Sequence, residues 1–175
     1  MKAGSGSKLS TPETKVIDEV EAYGHPNVKA THRTTLELTK DPFLTPRGDC
    51  IIGVAASKSA SELNPSLKQA LKNGYWLLVV INIPNMGIKD YLIARGSPNL
   101  LFTDTRSIVI RKSNYIDTRT IAINSNKAAR DLDPRLREQL KNPNTLLKIL
   151  LIATRDPQPI SNTKAMEEQS GPGGT

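Results

Sequence analysis

The apolar positions of this chain fall into short runs, most with a period of two, each closed by turn residues. Residues 34–39 (TTLELT) alternate, with Leu36 and Leu38 on one face. Residues 50–55 form a short apolar run after a Pro-Arg-Gly-Asp turn. A longer run, 76–83 (WLLVVINI), lies between Asn73-Gly74 and Pro84-Asn85. Further runs at 88–94, 100–103, 107–111, 120–124 and 146–154 predict a chain built mainly of strands.

Two stretches break this alternation with helical spacing. Ala60, Leu63, Leu67 and Leu71 are three, four and four apart, and Ala129, Leu132, Leu136 and Leu140 repeat the spacing. Each set makes one apolar face suited to core packing. Asn64 or Asp133 can cap the helix, Pro65 or Pro134 takes its first position, and Lys72-Asn73 or Lys141-Asn142 ends it. Proline disfavours helical geometry in the residue before it, so the turn preceding each proline is expected as a separate short helix.

The two helical stretches belong to a longer repeat. Residues 52–73 align with 121–142 without a gap at an offset of 69, with nine identities in 22 positions. Chance would supply about one or two, which points to a tandem duplication. Upstream, Gly24-His25-Pro26-Asn27-Val28 matches Gly96-Ser97-Pro98-Asn99-Leu100 at an offset of 72, and Leu36 and Leu38 then meet Ile108 and Ile110. Each unit reads strand, strand, helix, strand, with halves at about 24–83 and 96–154. Two such units closing into a β-barrel or jelly-roll-like sandwich would remove exposed sheet edges. The Gly48-Asp49 turn resembles, over a short stretch, that of cradle-loop barrels. The folded domain is expected at 16–155, between a flexible Gly/Ser-rich tail at 1–15 and a disordered tail at 156–175.

Charge adds a functional hint. Lys and Arg number 24 against 17 Asp and Glu, a net +7. The span 106–155 holds 11 basic and four acidic residues, a local excess equal to the whole. A basic face of that kind suits nucleic acid or a phosphorylated small molecule, although solubility alone can produce the same count. The single Cys50 excludes an intramolecular disulfide and fits a reducing cytoplasm. No signal peptide follows Met1 and no apolar run is long enough to span a bilayer, so a soluble protein with no membrane partner is expected.

Chemistry must come from scattered residues, because the chain has no phosphate loop, dinucleotide fingerprint or nucleophile elbow. No cofactor is expected. Lys58 and Lys127 occupy equivalent places after Ser57 and Asn126, where a cation opposes a helix dipole by roughly 0.3–1 kcal/mol. A bound phosphate would turn that cost into a gain, and a nearby carboxylate such as Asp49 would serve as well. Arg106, Arg111, Lys112 and Arg119 form a second cationic group, with Tyr115 near enough to stack a base. Aromatics are only 4 % of the chain, which argues against a broad stacking platform. His25 and His32, the only histidines, are catalytic candidates with Asp49, but no metal-ligand spacing supports a metal site.

Taken together, the blocks GHPNVKATHRTTLELTK, TPRGDCIIGV, IVIRKS and RTIAINSNKAARDL resemble the archaeal family known as domain of unknown function 371. The resemblance covers nearly all of 16–155 and implies an archaeal, cytoplasmic, mainly-β protein with a jelly-roll-like fold. Its blocks fall on His25, His32, Asp49, Lys58, Arg111, Lys112, Arg119 and Lys127, and it implies no activity. The residues themselves favour a module that binds RNA or DNA through a basic face. An enzyme acting on a phosphorylated or nucleotide substrate between the repeats is the alternative, and a surface for an acidic protein is a third. The oligomeric state is left open.

Overall fold

The structure, a computed structural model, describes residues 15–156. The two expected tails lie outside the described residues except for Lys15 and Asp156, and Lys15 already belongs to a strand. In chain order the elements are β1 (Lys15–Tyr23), β2 (Thr35–Thr39), β3 (Ile51–Gly53), α1 (Pro65–Lys72), β4 (Trp76–Ile83), β5 (Ile88–Arg95), β6 (Ser107–Arg111), β7 (Thr120–Ala122), α2 (Pro134–Gln139) and β8 (Leu146–Thr154). The chain is mainly β, with few and short helices.

The strands form two four-stranded sheets. The first, ordered β1-β8-β4-β5, is antiparallel throughout. The second, ordered β3-β2-β6-β7, has an antiparallel centre, and its edge strands β3 and β7 run parallel to their neighbours. Alternate residues of the first sheet (Leu77, Val79 and Ile81 on β4; Leu147, Ile149 and Leu151 on β8) join Leu36, Leu38, Ile108 and Ile110 of the second in one buried cluster. Leu67, Leu71, Leu136 and Leu140 enter the same cluster, as their spacing predicts.

Both helices start at the proline. The Asn64 side chain accepts from the Ser66 N–H at 2.8 Å and that of Asp133 from the Arg135 N–H at 2.8 Å. The turns before the prolines are separate single-turn 3-10 helices, Ala60–Glu62 and Ala129–Asp131, divided from α1 and α2 by extended Leu63 and Leu132.

Several expectations need correction. No hydrogen-bonded ladder among the described residues closes a barrel: between the sheets the strand pairing is limited to the isolated bridges Tyr23↔Val54 and Arg95↔Ile123. Ala55 and Asn124, just beyond the bridges, take left-handed φ values of 52° and 53°, and bonding resumes past them, from Ser57 N–H to the Glu21 carbonyl and from Asn126 N–H to that of Ile93. The parallel pairs also depart from an antiparallel jelly roll. The strand expected at 100–103 is a loop, with Phe102 itself at φ 53°. Each half also carries an extra leading strand, β1 or β5, so that it reads three strands, helix, strand.

Many contacts occur in pairs related by the sequence offsets. Lys40 N–H donates to the Arg106 carbonyl and Lys112 N–H to the Thr34 carbonyl, both at 2.8 Å. Ser61 N–H meets the Asp104 carbonyl as Arg130 N–H meets that of His32. The other non-glycine residues at positive φ, Ala30 and Phe102, are also offset partners. No helix among the described residues is long and apolar enough to cross a membrane.

Candidate functional site

All six cations singled out from the sequence meet carboxylates. Lys58 Nζ pairs with Asp18, and Lys127 Nζ with Asp90 at 2.6 Å. The second oxygen of each aspartate accepts from the backbone entering the helix, Asn64 N–H or Asp133 N–H, both at 2.7 Å. Burial raises the Asp18 pKa, but the bonds from Lys58 and Asn64 outweigh it and hold the carboxyl below its ordinary value. Each lysine therefore ties the segment before its helix to an outer strand of the first sheet. The cation that opposes the helix end is answered by a carboxylate of the chain.

Arg106 pairs with Asp41, and Lys112 with Asp131 at 3.0 Å. Arg111 leaves the core side of β6, but the opposite side is covered too, and the residue is only 8 % exposed. Its guanidinium bonds Thr120 Oγ1 and Asp117 Oδ2, both at 2.9 Å, and lies 4.9 Å from the Tyr115 ring centre. Arg119 meets the same Asp117 at 2.9 Å and approaches Glu37 at 3.6 Å. Burial lifts the Asp117 pKa, yet bonds from Arg119 and Thr120 and the Arg111 charge bring it down to about 2. Tyr115 is exposed but its ring faces an arginine of its own chain.

Glu37 (7 % exposed) and Cys50 extend this cluster, the thiol donating to Glu37 Oε1 at 3.3 Å. Burial, then the Glu37 carboxylate, push the Cys50 thiol up to about 12. At pH 8 the thiolate fraction is on the order of 10⁻⁴, so alkylation of native Cys50 should run roughly 10³-fold slower than for a free thiol. It should quicken with rising pH, and Glu37→Gln should speed it by removing the adjacent charge. Timed iodoacetamide labelling checks this. Labelling at the rate of a small thiol would contradict the geometry.

The histidines serve their own loops. His25 Nδ1 accepts from the Asn27 N–H at 3.0 Å, and His32 Nδ1 from the N–H groups of Thr34 and Thr35 at 3.2 and 3.1 Å. Asp49 meets His32 only through its backbone carbonyl, which accepts from Thr31 and His32 N–H groups. His25 N–H goes to Leu140, at the end of α2. No group of three or more His, Cys, Asp or Glu among the described residues is arranged to hold a metal ion.

The sequence reading missed a different set of cations. Lys29, Arg33, Arg47 and Arg130 are all exposed, and none makes an ion pair among the described residues. Backbone contacts gather them. Loop 29–34 bonds the Asp49 carbonyl beside the Arg47 turn, receives the Arg130 N–H on the His32 carbonyl at 3.1 Å, and receives Arg137 Nε on the Ala30 carbonyl at 3.1 Å. Lys29, Arg137 and Lys141 line a shallow groove with Pro134 and Glu138. The offset partners of Lys29, Arg33, Arg47 and Arg130 are Leu101, Thr105, Ile116 and Ser61, none of them charged. That contrast between the halves was the signal available in the sequence.

Comparison with known proteins agrees on one assignment. An uncharacterized protein of Methanocaldococcus jannaschii, MJ0206, is 42% identical over 133 residues, covering 76% of this chain and 97% of that protein. The profile of the family described as domain of unknown function (DUF371) matches residues 20–154, which hold both helices and all the strands except the first five residues of β1. This chain therefore belongs to the DUF371 family.

Proposed function

We propose that the protein binds the phosphate backbone of RNA or DNA through the strip formed by Lys29, Arg33, Arg47 and Arg130. One observation carries this reading. These cations make no ion pair among the described residues, whereas Lys58, Arg106, Arg111, Lys112, Arg119 and Lys127 all meet a carboxylate. A cation already held by a carboxylate must give up that partner before it can neutralise a phosphate, so the free ones contribute most to binding. The four residues are exposed and none is aromatic, so backbone charge outweighs base reading. Arg111, Lys112 and Arg119 are held by Asp117, Asp131 and Glu37 instead.

The duplication supports the same reading. We infer that the two halves arose from one unit: they share offset identities, paired hydrogen bonds and paired left-handed residues. Contacts common to both halves maintain the scaffold, and the charge borne by one half alone is free to serve a ligand. Such a binder acts in the cytoplasm. A second reading rests on the groove where Lys29, Arg137 and Lys141 converge, an arrangement suited to a single phosphate group rather than a strand.

The test is affinity for total RNA and duplex DNA at two salt concentrations. Neutralising four phosphates gives a log–log salt slope of roughly −3 to −4, or about a 100-fold loss between 50 and 200 mM. No binding at low salt would overturn the proposal. Competition by mononucleotides as strong as that by polymer would favour the second reading.

A further inference from the structure

Leu136 and Leu140 fix the core side of α2 and the turn after it. Pro134, Arg137, Glu138 and Lys141 follow one another along a different side, at the spacing of helical neighbours, and with Lys29 they line one shallow groove. The three cations of this groove have donors to spare. Lys29 makes no ion pair among the described residues. Arg137 uses only Nε, on the Ala30 carbonyl at 3.1 Å, and makes no other bond among the described residues. That bond fixes the planar guanidinium beside Lys29 and leaves both Nη groups as a free fork. Lys141 meets Glu138 at 3.5 Å, but the two side chains are 53 % and 72 % exposed, and a pair so open to water holds its lysine weakly.

Charge says which kind of phosphate the groove suits. Three cations against one carboxylate leave it at +2. A phosphodiester within a strand carries a single negative charge. A terminal phosphate monoester carries about −1.5 to −2 at pH 7 and offers three acceptor oxygens, two of them to an arginine fork.

The repeat shows that the scaffold does not require this set. In the other half the places of Lys29, Arg137 and Glu138 are taken by Leu101, Lys68 and Gln69, and of the three cations only Lys141 recurs as the same residue, Lys72. Lys68 Nζ donates to the Ser61 carbonyl, and the fork is lost with the arginine.

We propose that this groove receives the terminal phosphate of a nucleic-acid strand, so that the protein recognises a phosphorylated end. The proposal rests on the backbone reading above and deepens it. Lys29 belongs to both the strip and the groove, so a strand lying on the strip brings its end phosphate here.

The test is the affinity of the full chain, at low salt, for one single-stranded oligonucleotide carrying a phosphate on its first nucleotide, on its last, or on neither. One phosphorylated form should bind about tenfold or more tightly than the unphosphorylated form, as one added charge-assisted contact gives. Lys141→Gln, at an exposed side chain, should shrink that preference to roughly threefold or less. Arg33→Glu, on the strip, should weaken all forms alike and keep the preference. Equal affinity for the three forms would overturn the strand-end assignment and leave backbone binding standing. A preference unchanged by Lys141→Gln would overturn it as well. So would a nucleoside monophosphate that competes as strongly as the phosphorylated strand, since the groove would then hold a small molecule. Failure of every form to bind would sink the backbone reading and the strand-end assignment together.

Discussion

Gly96→Ala should cost about 3 kcal/mol or more and lower the melting temperature by roughly 10 °C. A Cβ at Gly96 would lie 2.0 Å from the Leu71 carbonyl oxygen and 2.8 Å from its carbon, both backbone atoms in the last turn of α1. No rotamer relieves such a clash, so β5 or the helix must move. Gly24 is equivalent: its Cβ would stand 2.2 Å from the Asn142 carbonyl oxygen and 2.5 Å from that of Leu140. Each glycine lets the strand of one half approach the end of the other half's helix. The requirement is for space, since neither glycine has a positive φ. Thermal melts of both variants should show similar losses. A change under about 1 kcal/mol for either would contradict the close approach.

The second large effect is expected at the buried aspartates. Asp90→Ala removes the partner of Lys127 and the acceptor for the Asp133 N–H together. Stranding a half-buried ammonium and a backbone donor should cost about 3 kcal/mol, reduced from a fully buried case because Lys127 retains some contact with water. Asp18→Ala does the same to Lys58 and Asn64 and should cost a similar amount. Lys127→Met beside Asp90→Ala should recover part of the loss, because no charge is then left unpaired. Denaturant unfolding of the single and double variants measures this. A single substitution without effect would show that the pair does not hold the helix to the strand.

These pairs also show what the sequence could reveal. Most strands followed from the period-two pattern, and 76–83, 107–111 and 146–154 agree with β4, β6 and β8 end to end. Caps and prolines placed both helices. β1 escaped notice because Asp18 interrupts its apolar face, and that same aspartate receives Lys58. The strand and the role of the lysine were therefore hidden together. Residues 100–103 mimic a strand because Leu100 and Phe102 alternate, but both are buried from a loop.

The candidate site was legible only in its charge. Which cations are free depends on carboxylates distant in sequence: Asp18 lies 40 residues from Lys58, and Asp90 lies 37 from Lys127. Recurrence at the 69-residue offset drew attention to Lys58 and Lys127, and each meets an aspartate on an outer strand of the first sheet. Arg33 and Arg130 attracted no notice because neither recurs at the offset that drew attention to Lys58 and Lys127. They differ from their partners Thr105 and Ser61, and that difference marks the strip.

The most direct measurement compares two charge reversals for RNA affinity at low salt. Arg33→Glu/Arg130→Glu reverses two free cations, and Arg106→Glu/Lys112→Glu reverses two that already meet Asp41 and Asp131. The first variant should lose at least about 100-fold in affinity and its salt slope should shrink by roughly two phosphates. The second should lose less than about tenfold. Equal losses, or a larger loss from the Arg106/Lys112 variant, would contradict the assignment of the free strip as the binding face.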